Sequence, residues 1–152
     1  EKKDLQAIVK AKDSFTYIIN NYPNTEYALD SEFKIDLIND VLAAKEMYVG
    51  RYYFEKKKWI PAINRFRTVV DEYDTTIYIE EALHRLVEIY YTIGLVEESQ
   101  KYANLLGYNY KSSQWYEMSY SVFNKNYVSN KLKKDKKNSI LRKAKNLFDS
   151  DG

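Results

Sequence analysis

Two segments of the chain match each other at a fixed offset, and this internal repeat limits the possible folds more than any other feature. The segments align when Ala62 is placed on Ser99, and in each a tyrosine (Tyr53, Tyr90) lies nine positions before the small residue. Apolar residues recur at helical spacing before and after a short break, which predicts a pair of packed helices. One such pair cannot bury its apolar face alone, so repeated pairs stack into an array.

Small residues lie where the paired helices are expected to cross. Gly50, Ala62, Ser99 and Ala103 would let two backbones approach closely, while aromatic side chains fill the space beside them. This alternation of small and large positions is typical of tetratricopeptide repeats, and no alternating strand pattern competes with it. The predicted fold is therefore all-α, a tetratricopeptide-like array of helix-turn-helix repeats wound into a right-handed superhelix.

Proline, glycine and serine mark the expected helix ends. Residues 23–25 (Pro-Asn-Thr) should end one helix and cap the next, and residues 112–113 (Ser-Ser) should begin another. Gly94 and Gly107 are each expected to end a helix. The stretch 26–57 has no proline and only one glycine, so it predicts a single long helix.

A third, partial copy of the repeat opens the chain. Ala11, Phe15 and Ile18 have the spacing of the second helix of a pair. We therefore expect a first helix to precede it in a longer protein, since a bare second helix would expose its apolar side.

The composition argues against enzymes, metal sites and cofactors. The chain has no cysteine, which excludes disulfides, thiolate metal sites and a cysteine nucleophile. Its one histidine, His84, excludes sites that need two imidazoles, and four glycines are too few for a phosphate-binding loop. Glu88 lies one turn from His84, a pairing that commonly stabilises a helix rather than performing catalysis. Nucleic-acid binding is not expected either, because clustered arginines with interleaved aromatics are missing.

Charge divides the chain into two regions. Residues 1–124 carry 15 basic and 19 acidic side chains, whereas residues 125–152 carry 9 basic and 3 acidic ones. We interpret 1–124 as the repeat scaffold and 125–152 as a flexible basic tail with a short amphipathic helix. The apolar side of that helix includes Ile140, Leu141, Leu147 and Phe148. Such a helix could bind an anionic membrane or a partner's groove, or it could pack on its own domain or stay solvated.

In a two-helix array the first helix of each pair lines the concave surface. The repeat register then predicts a groove suited to an extended or helical peptide. Its lining residues are Met47, Arg51, Phe54, His84, Glu88 and Tyr91. A general peptide-binding adaptor is accordingly one functional hypothesis.

Several ordered words along the chain resemble one protein family. They include residues 21–28 (NYPNTEYA), 42–53 (LAAKEMYVGRYY) and 59–66 (WIPAINRF). Together they resemble the BamD (ComL/YfiO) family of outer-membrane assembly lipoproteins over about residues 8–123. Gly50 stands where that family usually has alanine, and Lys58 replaces a turn glycine.

The resemblance implies a non-enzymatic scaffold at the periplasmic face of the bacterial outer membrane. It implies docking of a POTRA domain of BamA, contacts with other assembly-machinery lipoproteins and with unfolded outer-membrane proteins, and a membrane anchor through an N-terminal lipid absent from this chain. The implied contact residue is Arg65 with its neighbour Asn64, with Lys58 and Arg67 as peripheral charges. From the residues alone, a solvent-exposed helix position is the competing interpretation of Arg65.

Overall fold

The computed structural model describes residues 2–124, with side chains described from Leu5 onward. Within that range the chain forms helices and no strand, which confirms the all-α helical-repeat prediction. The helices are α1 (Lys2–Asn21), α2 (Glu26–Glu55), α3 (Trp59–Glu72), α4 (Ile79–Thr92), α5 (Val96–Asn109) and α6 (Gln114–Phe123). The predicted tail, with Ile140, Leu141, Leu147 and Phe148, lies outside the described residues.

Helices that follow one another along the chain pack against one another. α1 packs on α2, α2 on α3, α3 on α4 and α4 on α5, while α6 packs on both α4 and α5. The two predicted repeats are therefore the pairs α2–α3 and α4–α5. None of the described helices combines the length and the apolar character needed to cross a bilayer.

The long helix α2 is confirmed, and its capping follows from the residues at its start. Thr25 is the N-cap, and its hydroxyl accepts a hydrogen bond of 3.2 Å from the backbone N–H of Ala28. That bond satisfies one of the free N–H groups at the helix start. The helix runs 30 residues without interruption, so α2 packs against α1 and also against α3.

The predicted small positions are buried where the helices cross. Ala62 is fully buried, and a side-chain carbon at Gly50 would lie 2.7 Å from Cε1 of the Phe66 ring. Ser99 is also fully buried, and its hydroxyl donates a 2.8 Å hydrogen bond to the carbonyl of Val87. Small side chains therefore set the spacing of both repeat pairs.

The two glycines expected to end helices behave differently. Gly94 does end α4, with a φ of +85° that favours glycine. The prediction for Gly107 is wrong, because α5 continues to Asn109. A side-chain carbon at Gly107 would lie 2.6 Å from Cε2 of Tyr116, so this glycine allows α6 to approach α5.

A continuous apolar core lies between α2, α3 and α4. Its largest fully buried members are Met47, Phe66, Leu86 and Ile89, and half-buried tyrosines surround it. A smaller cluster of Ile79, Leu83 and Leu106, with Trp115 packed against it, joins α4 to α5 and α6. The core therefore extends along the array from helix to helix.

We predict that Gly50→Ala lowers the free energy of unfolding by about 1–3 kcal/mol, as overpacking of a core does. The added carbon would overlap the Phe66 ring. Urea denaturation measures this, and the same change in a Phe66→Leu background should cost less because the ring edge is gone. A gain of about 1 kcal/mol from Gly50→Ala, as helix propensity alone would give, would contradict the close approach.

Candidate protein-binding surfaces

Two of the residues predicted to line a groove are buried instead. Met47 is fully buried in the core, and His84 is only 1% exposed between α4 and α6. The expectation that these two side chains face an open groove is therefore wrong. The reason is that α6 packs directly on α4 and covers the side of the helix that the repeat register places on the surface.

Arg51, another predicted groove residue, is held by a carboxylate on the next first helix. Its Nε donates to Oε1 of Glu81 at 2.9 Å, and its Nη2 donates to Oε2 at 2.5 Å. This two-bond geometry fits the planar guanidinium to the carboxylate, which makes the pair stronger than a single contact. It ties α2 to α4.

Arg85 extends this pair into a larger group on the same side of the repeats. Its Nη1 donates to Oε2 of Glu88 at 2.7 Å, and its Nε lies 3.5 Å from Oε1 of Glu81. The guanidinium carbon lies 5.1 Å from the ring centre of Phe54 and 5.6 Å from that of Trp115. We call Arg51, Glu81, His84, Arg85 and Glu88, with these two rings, the Arg85 cluster.

The two carboxylates of the Arg85 cluster are kept ionised. Burial disfavours the charged form of Glu81, but the hydrogen bonds and charges of Arg51 and Arg85 outweigh it and hold its pKa below the ordinary value. Burial likewise opposes ionisation of Glu88, and His84 and Arg85 together lower its pKa. Both carboxylates therefore act as permanent partners for the surrounding cations at neutral pH.

His84 connects the Arg85 cluster to α6. Its Nδ1 shares a buried hydrogen bond of 2.8 Å with the hydroxyl of Ser119, and its Nε2 lies 3.4 Å from Oε2 of Glu88. Its ring also lies 5.3 Å from that of Trp115. These contacts give the histidine a structural place between helices.

The remaining predicted groove residues lie at the border of the cluster. Phe54 is half-buried, with its ring 5.7 Å from that of Trp59 in an edge-on arrangement. Tyr91 is 39% exposed, and its ring meets the edge of Phe123 at 5.4 Å. Sequence reasoning did not single out Arg85, although its spacing from Glu81 and Glu88 fits one helix side and was a usable signal.

A different surface surrounds Arg65 on α3. The Arg65 Nη1 donates to Oε2 of Glu46 at 2.9 Å, and the arginine side chain remains 46% exposed. Asn64 is exposed beside it. A shallow pocket of about 170 Å³ is lined by Tyr53, Pro61, Asn64, Arg65 and Thr68, and we call this set the Arg65 surface.

The structure does not bring all the implied contact residues together. Arg67 is two positions after Arg65, and successive helix residues differ by about 100°, so the two arginines point to nearly opposite sides of α3. Arg67 lies 3.9 Å from Asp71 instead. Lys58 is exposed at the N-cap of α3, about two helical turns before Arg65.

Within the part of the chain that the structure describes, no three potential ligands among His, Asp and Glu cluster as a metal site would require. What the described surfaces offer is fixed charge, aromatic edges and exposed amide groups. These suit recognition of another protein, and the class that the fold defines is a helical-repeat scaffold.

The chain belongs to the YfiO family of outer membrane lipoproteins, whose family model matches residues 1–106. This confirms the resemblance seen in the ordered sequence words. Membership locates the chain at the outer membrane, on its periplasmic side.

Similar proteins carry the name "Outer membrane protein assembly factor BamD". One from Rickettsia prowazekii is 54% identical over 117 residues, covering 77% of this chain and 46% of the relative. One from Caulobacter vibrioides is 44% identical over 124 residues, covering 82% of this chain and 41% of the relative. One from Neisseria meningitidis serogroup A is 30% identical over 111 residues, covering 73% and 42%. The chain thus spans less than half the length of these relatives.

We predict that Arg51→Gln lowers the free energy of unfolding by about 1–2 kcal/mol at pH 7, because it removes a charged hydrogen-bond partner from Glu81. The exposed pair of Arg67 and Asp71 offers a matched control, and Arg67→Gln should change stability by less than about 0.5 kcal/mol.

The same variant has a pH signature. The pKa of Glu81 is lowered in the folded state, so its contribution is complete above the unfolded-state pKa and is lost as acid protonates it. Urea denaturation should therefore show a smaller loss of stability between pH 7 and about pH 3.5 in Arg51→Gln than in the parent chain. Equal acid losses in both proteins would show that the pair does not set the ionisation of Glu81.

Proposed function

We propose that this chain is a scaffold portion of the outer-membrane β-barrel assembly machinery and that it docks the periplasmic POTRA region of BamA. Family membership and the name shared by the relatives support a role in outer-membrane protein assembly. The Arg65 surface supports the docking step, because it presents a positioned cation beside a shallow pocket.

The observation that carries this proposal is the ion pair between Arg65 and Glu46. The described hydrogen bonds of Arg65 to Glu46 both use Nη1, at 2.9 and 3.3 Å. Glu46 thereby positions the guanidinium, and the remaining N–H donors can pair with a carboxylate of a partner. A pre-positioned arginine loses less side-chain entropy on binding than a freely moving one.

The other proposed partners follow from the same role. A scaffold at the periplasmic face would contact further assembly-machinery lipoproteins and unfolded outer-membrane proteins, and a lipid anchor would hold it at the membrane. Exposed aromatic side chains such as Tyr48, Tyr52 and Tyr108 provide area for such contacts.

The competing hypothesis is a general adaptor that grips a peptide along the first helices. Its side chains are largely engaged within the protein, since Met47 and His84 are buried and Arg51 is bound to Glu81. The Arg65 surface is therefore the better-supported docking site, and the two surfaces can be tested separately.

We predict that Arg65→Glu weakens binding of the 152-residue chain to a cognate POTRA fragment of BamA by about tenfold or more. The reversed charge would repel the partner's carboxylate and also Glu46. Because that second repulsion could disturb the fold, Arg65→Gln should be measured too, and circular dichroism should show an intact helical fold in both. Titration calorimetry gives the affinities.

Two matched charge reversals locate the contact. Arg67→Glu lies on the opposite side of α3 and should change the affinity by less than about threefold. Arg51→Glu tests the groove. Loss of binding with Arg51→Glu but not with Arg65→Glu would favour the peptide adaptor, and full binding by Arg65→Glu would overturn the proposed docking site.

A further inference from the structure

The last described helix differs from the other first helices of the repeats. α2 is followed by α3 and packs on it, and α4 is followed by α5 and packs on it. α6 packs on α4 and α5 from the position of a first helix, but the structure describes no helix after it. In a repeat array the second helix of that pair would lie against α6 and the preceding second helix, α5.

A cleft occupies that position. It has a volume of about 400 Å³ and lies between α5 and α6. Its floor includes the small residues Ala103 and Gly107, both buried, and its walls include the rings of Tyr116, Tyr120 and Phe123. The ring of Tyr108 at its edge is 85% exposed. Small residues beside aromatic rings are the arrangement that lets α3 approach α2 at Gly50.

We propose that residues 140–148 of this same chain pack into the α5–α6 cleft as the second helix of the last pair. Along this segment Ile140, Leu141, Ala144, Leu147 and Phe148 share one helix side by sequence spacing. Ala144 is the small residue at the centre of that apolar side, as Ala62 is on α3.

Charge and chain length agree with this occupant. The basic residues Arg142, Lys143 and Lys145 fall on the opposite side of the segment and would stay in water. α6 ends at Phe123, which itself lines the cleft. Residues 125–139 could span about 50 Å when extended, whereas α6 is only about 15 Å long, so the segment reaches the cleft easily. This inference does not depend on the proposed docking at the Arg65 surface, which lies on α3.

The absence of cysteine in the chain permits a direct test with introduced pairs. In the full chain, Asn104→Cys lies in the cleft and is combined with Ala144→Cys, and a short bis-maleimide joins them. The control pair combines Ala144→Cys with Asp71→Cys, which is exposed on α3 and away from the cleft. We expect roughly tenfold faster cross-linking of the first pair within monomers, because docking raises the local concentration of the two thiols.

Two tail variants test the apolar contact. Leu147→Asp with Phe148→Asp should reduce cross-linking to the control rate, whereas Lys143→Asp with Lys145→Asp, on the polar side, should leave it unchanged. Equal rates for both cysteine pairs would overturn the proposal, as would cross-links found only in dimers by light scattering. Equal rates together with binding of the segment to phosphatidylglycerol vesicles would overturn it in favour of a membrane contact.

Discussion

The Phe66 ring lies against Gly50 so closely that no larger side chain fits at that position without displacement, and this approach of α3 to α2 determines where the outer sides of both helices point. With the helices that close, Glu46 on α2 reaches Arg65 on α3 at 2.9 Å. Gly107 has the same role at Tyr116, where it lets α6 approach α5. Because packed interiors transmit small volume changes, the position of the exposed charges follows directly from these buried contacts.

A second constraint comes from the charges between the first helices. Arg51, Glu81, Arg85 and Glu88 neutralise one another, and His84 links them to Ser119 on α6. Such a network holds successive repeats together by directional bonds that an apolar core does not supply. It also occupies side chains that a peptide groove would need. Contact with other proteins is therefore better served by the outer side of α3, where Asn64 and Arg65 remain accessible.

Local sequence signals predicted the helices well because each has a local cause, such as Thr25 capping α2 or Gly94 ending α4. They failed at Gly107, since a glycine that ends a helix and one that admits a neighbouring ring look alike in sequence. The groove was predicted from repeat register alone, which could not show that α6 covers His84. Arg65 was implied by family resemblance, but its fixation by Glu46 depends on residues 19 positions apart meeting in space. Long-range contacts of this kind have no local sequence signature.

Hydrogen–deuterium exchange of the 152-residue chain, with and without a cognate POTRA fragment of BamA, tests the central claim most directly. A scaffold that docks through the Arg65 surface should show slower exchange along α3 and the adjoining end of α2 on addition of the fragment. Exchange in α4 around the Arg85 cluster should stay unchanged, because those helices already hold each other. Protection concentrated in α4 and α6, or no protection anywhere at saturating fragment, would contradict the account.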